Sequence, residues 1–180
     1  MTETRPDATL RSLSHAEAEA ALAGLAEVLV DAVEHGASVN FLAGFRHDEA
    51  IAFWRGQLPA IAEGKRALIV AEAGGKVVGT VVVTHAHQPN QPHRADVGKM
   101  LVHSSMRRRG LGRRLLAAAE AEALASGRTL LVLDTETESA GHRLYAACGW
   151  IEVGTIPGFA LSTTGEPSGA TIFYKRIGSD

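Results

Sequence analysis

The stretch from Val97 to Ser126 constrains this chain most. A strand-sized run, Val97 to Val102, leads into a basic loop and then into Gly110-Leu111-Gly112 at the head of a helix. Five of the fourteen arginines, Arg107, Arg108, Arg109, Arg113 and Arg114, fall within eight residues there. The first turn of a helix leaves backbone N–H groups without partners, and the macrodipole adds partial positive charge. Arginine beside a helix start is therefore unfavourable unless an anion is held there. Glycine at 110 and 112 removes side chains that would keep such an anion off the backbone. The fold must present strand, anion-binding turn and helix in succession, and a pyrophosphate fits that turn.

The rest of the chain places this turn in an ordinary soluble globular domain. Eighteen bases and twenty acids among 180 residues give a net charge of −2. Residues 91–134 nevertheless carry eight bases against four acids, a local +4, while residues 1–90 carry −4. That pattern suits a local anion site and excludes a globally basic nucleic-acid binder. No aromatic residue interleaves the arginines to stack bases. With 46% hydrophobic and 21% charged residues, the chain supports one sizeable core. The single Cys148 cannot form an internal disulfide, which suits a reducing, cytoplasmic setting. Its position in a helix reads as packing rather than nucleophilic chemistry. Met1 to Ala8 lacks the apolar core of a signal peptide, residues 1–7 read as a flexible arm, and no apolar run is long enough for a membrane helix.

Periodicity and punctuation predict one α/β domain of α+β type over residues 1–180. Ala8 to Leu13 is a first strand. Ser14 and Glu17 form a capping box for a helix reaching His35, with Leu22, Leu25, Leu29 and Val33 on one face. Asp48 caps a second helix, which Pro59 interrupts and Gly64 ends. Ala67–Ala73 and Lys76–His85 flank Gly74-Gly75 as a hairpin. Ala95 to Val102 is the next strand, 103–109 a loop, and Gly110 to Ser126 a helix. Thr129–Leu133 is a strand, Ser139–Ala147 a short helix, Trp150–Ile156 a strand, Pro157–Gly169 a loop and Ala170–Ile177 a last strand. The order is β-α-α-β-β-β-α-β-α-β, a mixed, mostly antiparallel sheet of six to seven strands with four helices.

Other anion motifs fit less well. No Lys-Ser or Lys-Thr follows the loop, so the nucleoside-triphosphate loop pattern is absent. The dinucleotide fingerprint has Leu115 where its third glycine belongs, although Asp134 could serve as its ribose acid. His85, His87, His93 and His103 lack zinc-ligand spacing, so no metal is expected. His142 reads as a surface histidine.

Arg107-Arg108-Arg109-Gly110-Leu111-Gly112 resembles the (Gln/Arg)-x-x-Gly-x-(Gly/Ala) motif of the GNAT N-acetyltransferases. Leu144-Tyr145 with Gly149-Trp150 is similar to the family's Leu-Tyr-x-x-x-Gly-Phe signature, and the element order is similar throughout. The resemblance implies acetyl-CoA as acetyl donor, a small-molecule amine as acceptor, no membrane or nucleic-acid partner, and a homodimer. It implies that the strand end, Met100, Leu101 and Val102, pairs with the pantetheine arm. The N–H groups of Arg107, Arg108, Arg109, Gly110, Leu111 and Gly112 would hold the pyrophosphate, with Arg113 beside it. Two departures stand out. Ser104 replaces a frequent proline, and Thr137-Glu138-Ser139 replaces a loop that often carries asparagine.

The chemistry needs three groups. An ammonium has no lone pair, so it must lose a proton, which a carboxylate can take directly or through water. Asp96 and Asp134, at the start and end of neighbouring strands, are the candidates, and the resemblance favours Asp134. Glu136 and Glu138 add acids nearby. Tyr145 is implied as the acid that protonates the departing thiolate, and a backbone N–H near Leu101 and Val102 as the oxyanion donor. Gly36 to Phe45 and Pro157 to Gly169 would form the acceptor mouth. A CoA or dinucleotide sensor without turnover and an RNA-contacting domain are the rival readings.

Overall fold

Gly74 and Gly75 turn the hairpin from which the sheet grows. Its arms are β2 (Arg66–Ala73) and β3 (Lys76–His85). β1 (Thr9–Leu13) pairs with β2, and β4 (Arg94–Val102) pairs with β3, all antiparallel. β5 (Leu130–Glu136) then lies parallel to β4, and β6 (Ile151–Leu161) and β7 (Pro167–Arg176) complete the order β1-β2-β3-β4-β5-β7-β6. This computed structural model describes residues 7–178, so the expected flexible arm, apart from Asp7, lies outside the described residues. One parallel pair in a seven-stranded sheet is the mixed, mostly antiparallel architecture expected. It is not the doubly wound parallel sheet of a dinucleotide fold.

Among the described residues six α-helices stand where four were expected: α1 (His15–Ala20), α2 (Leu22–Glu34), α3 (His47–Arg55), α4 (Leu58–Ala62), α5 (Leu111–Ala125) and α6 (Ala140–Ala147). The first predicted helix breaks at Ala21, and the second restarts with Pro59 in the first turn of α4, where a missing N–H costs nothing. Ser14 and Glu17 do form the capping box. Asp48 is not the cap of α3. Arg46 holds that position, its N–H donates to Glu49 at 2.9 Å, and Asp48 sits in the first turn paired with Arg46.

Two further boundaries move. β5 runs on to Glu136, so Asp134 lies inside the strand rather than at its end. The segment expected as a loop, Pro157 to Gly169, is mostly strand in β6 and β7. β6 is an edge strand, where proline is tolerated, and a bulge between Ile156 and Ala160 absorbs Pro157 and Gly158. Pro167 opens β7, the other position a strand accepts.

Alternation along the strands builds two cores. Ile69, Val81, Val83, Val97, Leu131, Leu133 and Phe173 face α5 through Leu111, Leu115 and Leu116. Leu68, Val70, Val82 and Leu101 face α2 and α3 through Leu25, Leu29 and Trp54. The Trp54 indole donates to the carbonyl of Leu25 at 3.0 Å, so its polar atom is satisfied inside the core. On this second face α2 packs on β3 and β4, and α4 packs on β2. Asp134 of β5 faces the same way and remains exposed. That leaves a cleft floored by β4, β5 and β7.

Candidate active site

β4 and β5 part at the centre of the sheet. They pair only through Arg94–Leu130, Ala95–Leu131 and Asp96–Val132. Beyond Asp96, β4 continues to Val102 bonded to β3 alone, and beyond Val132, β5 continues bonded to β7 alone. A break in register between Thr80 and Val82 and a left-handed Lys99 (φ 47°) bend β4 at this point. The result is a notch along which Met100, Leu101 and Val102 have no partner on the β5 side.

The basic turn closes one end of the notch. Gly110 caps α5 at φ 75°, a conformation that costs other residues, and Arg108 is also left-handed at φ 61°. From Arg108 to Arg113, the backbone N–H groups find no acceptor among the described residues. A row of free donors at a helix N-terminus has the chemistry of an anion cradle. Gly112 serves close approach rather than φ. A Cβ there would stand 3.2 Å from Leu144 Cδ2 of α6 and 3.4 Å from Met100 Cε of β4. The glycine thus lets helix, strand and second helix converge at the notch.

The arginines divide by partner. Arg107 donates from Nε to the carbonyl of Val102 at 3.1 Å and stands 4.0 Å from Asp31. Arg114 reaches Asp7 and the Ala8 carbonyl, tying α5 to β1. Arg113 reaches the Ala147 carbonyl at the end of α6. Arg108 and Arg109 are exposed and make no ion pair among the described residues.

Tyr145 comes to the notch from α6. Its ring is buried against Trp150 at 5.8 Å and Phe173 at 6.1 Å, and its hydroxyl takes no hydrogen bond from the described residues. Burial raises its pKa well above the usual tyrosine value, and the nearby Asp134 and Cys148 push the same way. The phenol is therefore held protonated. Gly141 makes the approach of α6 possible, since a Cβ there would lie 2.8 Å from Thr135 Oγ1 of β5. The two candidate carboxylates differ. Asp96 lies in the last paired row and is held by Arg94 at 2.6 Å. Asp134 lies two residues past that row, at the mouth of the notch, without an ion pair among the described residues. Glu136 accepts from Ser168 at 2.9 Å, and His142 stands 3.5 Å from Glu152. No group of three histidine, cysteine or carboxylate side chains among the described residues could hold a metal.

The GNAT acetyltransferase family model matches residues 30–150, spanning notch, cradle and tyrosine helix. The chain belongs to the GNAT acetyltransferase family. Solved structures share the fold over nearly the whole length. A Salmonella typhimurium protein, yncA, described as an acetyltransferase and solved with acetyl-CoA, superposes with a TM-score of 0.75 at 20% identity, covering 97% of this chain and 96% of that one. A protein assigned as a phosphinothricin N-acetyltransferase gives 0.74 at 21%, covering 96% and 99%. An aminoglycoside 6′-acetyltransferase gives 0.72 at 16%, covering 96% and 99%.

Against the GNAT pattern, the two sequence departures acquire reasons. Ser104 opens a short 3-10 turn, Ser104–Met106, inside the basic loop. Its N–H donates to Asp31 Oδ2 at 2.7 Å and its hydroxyl to Oδ1 at 2.6 Å, so here the backbone N–H that proline lacks is used. Burial opposes ionisation of Asp31, but the Ser104 donors, with His103 and His35 nearby, outweigh it and hold the carboxyl below its ordinary range. Asp31 comes from α2 and no local motif marks it. Glu138, in the segment where the family often has asparagine, adopts φ 62°, a conformation asparagine takes more readily. Its N–H donates to His142 Nδ1 at 3.3 Å and its carbonyl accepts from Arg143 at 2.6 Å.

The segment from Gly36 to Phe45 also finds its partners. Phe41 stacks on Phe45 at 4.0 Å and meets Phe53 edge-on at 5.3 Å. The N–H of Ala43 donates to the carbonyl of Thr163 at 2.8 Å. The segment after α2 and the β6–β7 turn therefore meet. That turn spans Ser162 to Glu166, far shorter than the loop expected.

Proposed function

We propose that this chain transfers the acetyl group of acetyl-CoA to the amine of a small molecule by direct attack within a ternary complex. The observation that carries the reading is the notch. A strand end bonded to β3 on one side and open on the β5 side, Met100 to Val102, leads into consecutive free N–H groups at Arg108 to Arg113. An extended arm ending in a pyrophosphate matches that sequence of donors. When bound, acetyl-CoA supplies an acetyl group activated as a thioester. Everything else is done by the protein. Asp134 takes the proton of the acceptor ammonium, directly or through water. A backbone N–H near Leu101 and Val102 stabilises developing negative charge. Tyr145 gives its proton to the departing sulfur and regains one from the nitrogen as the amide forms. Asp96 is occupied by Arg94 and is the weaker base. Direct attack follows because Cys148 caps α6 and has no histidine bonded to it among the described residues.

Detoxification of an antibiotic-like amine is the finer reading. Gly36-Ala37-Ser38-Val39, Arg94-Ala95-Asp96-Val97, Leu133-Asp134-Thr135-Glu136 and Pro157-Gly158 resemble the tabtoxin resistance protein, and phosphinothricin and aminoglycoside acetyltransferases share the fold. A homodimer also belongs to this reading. Edge strand β6 exposes Val153 at 65% and Phe159 at 53%, apolar surface that a second copy would cover. No helix among the described residues is long and apolar enough to cross a membrane.

The test is twofold. Acetyl-CoA, but not NAD or an RNA oligomer, should raise the melting temperature. Incubation with acetyl-CoA and a panel of amines should then release free thiol in proportion to acetylated product. Stabilisation by NAD without acetyl-CoA binding would replace this reading with the dinucleotide sensor. Acetyl-CoA binding with no turnover of any amine would leave a CoA sensor.

A further inference from the structure

Gly98 is a glycine that the backbone does not require. It lies inside β4, has no left-handed φ, and a Cβ added to it would meet nothing within 4 Å. A strand glycine facing open space often marks where a ligand approaches the sheet. Gly98 stands two residues past Asp96, and Asp134 two residues past Val132, the partner of Asp96. The glycine and the carboxylate thus face each other across the mouth of the notch, on the second face of the sheet.

Two cations border the same space. Arg66, Thr84 and Asp96 form one cross-strand row, so they share that face. Arg66 donates to Thr84 Oγ1 at 3.1 Å and has no carboxylate within ion-pair distance among the described residues, Asp96 being taken by Arg94. Lys99 follows Gly98. Its Nζ donates to the Val39 carbonyl at 3.2 Å and lies 5.8 Å and 5.3 Å from the rings of Phe41 and Phe53. It too lacks an ion pair among the described residues, and a primary ammonium has three donors. Burial lowers the proton affinity of Lys99, Asp134 raises it and Arg66 lowers it. Lys99 thus feels both Asp134 and Arg66 beside the open floor at Gly98.

We propose that the acceptor lies over Gly98 as an amino acid, its amine toward Asp134 and its carboxylate toward Lys99 and Arg66. This rests on the acetyl-transfer reading and names the substrate class. An acceptor carrying only positive charge would meet Lys99 and Arg66 as repulsion, whereas a zwitterion matches both signs. The space over Gly98 sets how closely that acceptor approaches β4.

The proposal is tested with the standard α-amino acids, each beside its carboxamide, which keeps the amine and removes the negative charge. Acetyl transfer is followed by thiol release, and binding to the protein–CoA complex by calorimetry. At least one amino acid should be acetylated with kcat/KM about tenfold or more above its amide, since a site built around a charged group rejects the analogue lacking it. Lys99→Met should abolish that preference, Lys99→Arg should restore most of it, and acetyl-CoA affinity should be unchanged in both. Gly98→Val should block the amino acid without weakening acetyl-CoA. If Lys99 only held the Val39 segment, Lys99→Met would slow acid and amide equally. That result would overturn the proposal, as would equal use of both compounds or turnover of polyamines alone. A protein that binds acetyl-CoA and acetylates other amines would retain the broader reading while losing this one. A protein that binds no acetyl-CoA would lose both.

Discussion

The two parts of the cleft proposed to take the acetyl donor and the acceptor, the donor half and the acceptor half, are built in different ways. The donor half is assembled from neighbours in the chain: the end of β4, the basic turn and the first turn of α5 are contiguous, Met100 to Arg113. The acceptor half is assembled from a distance. Phe41 and Phe53 come from the segments around α3, Lys99 and Gly98 from β4, Asp134 from β5 and Thr163 from the β6–β7 turn. A contiguous turn can be fixed by backbone geometry alone, whereas the mouth exists only once the sheet and α2 are in place. Substitutions in the donor half should therefore act on acetyl-CoA binding, and those in the acceptor half on turnover and selectivity.

The largest separation should come from Asp134→Asn. Removing a general base typically costs about 10²–10⁴ in rate. kcat/KM should fall by that order, with the dissociation constant of acetyl-CoA unchanged by calorimetry. Equal loss of binding would move Asp134 into the donor half. Gly112→Glu should do the reverse. A carboxylate near the pyrophosphate site costs about 4 kcal/mol at close range in a protein-surface dielectric, or roughly 100-fold to 1000-fold in affinity. Retained acetyl-CoA affinity would remove the α5 turn from the site.

Tyr145→Phe should lower kcat by about 10²-fold while leaving the melting temperature nearly unchanged, because the hydroxyl takes no hydrogen bond from the described residues. Undiminished kcat would show that Tyr145 is a packing residue. A smaller and purely structural effect belongs to Asp31→Ala, which strands the Ser104 donors. Denaturant titration should show a loss of about 1–3 kcal/mol. The carboxyl of Asp31 is depressed in the fold, so its contribution is present above the unfolded carboxylate range and lost as pH falls through the folded value. The variant should thus lose less stability than wild type on acidification below about pH 4. Arg108→Ala with Arg109→Ala should weaken acetyl-CoA least, by about fivefold, since exposed charge pairs contribute up to about 1 kcal/mol each.

The same contrast explains what could be read in the sequence. The Gly74-Gly75 hairpin, the Ser14 capping box and the Gly110 turn are local, and each formed as its residues imply. The family was legible through the motif at Arg107 to Gly112. Asp31 was not, because its bond to Ser104 joins residues 73 apart. Nor was the division of the arginines, since the ties from Arg107 to Val102 and from Arg114 to Asp7 depend on tertiary packing. β6 was cut short at Ile156 because Pro157 and Gly158 read as a loop, and only its edge position lets a bulged strand continue through them. Lys99 was hidden in an apolar run, and the left-handed kink that aims it at Phe41 and Phe53 has no sequence signal.

Amide hydrogen exchange with and without acetyl-CoA tests the central claim most directly, because the proposed donor site is a set of backbone N–H groups. The account predicts new protection at Met100 to Val102 and at Arg108 to Arg113, with little change across β6 and β7. Protection elsewhere, or exchange unchanged at those residues in the presence of saturating acetyl-CoA, would contradict it.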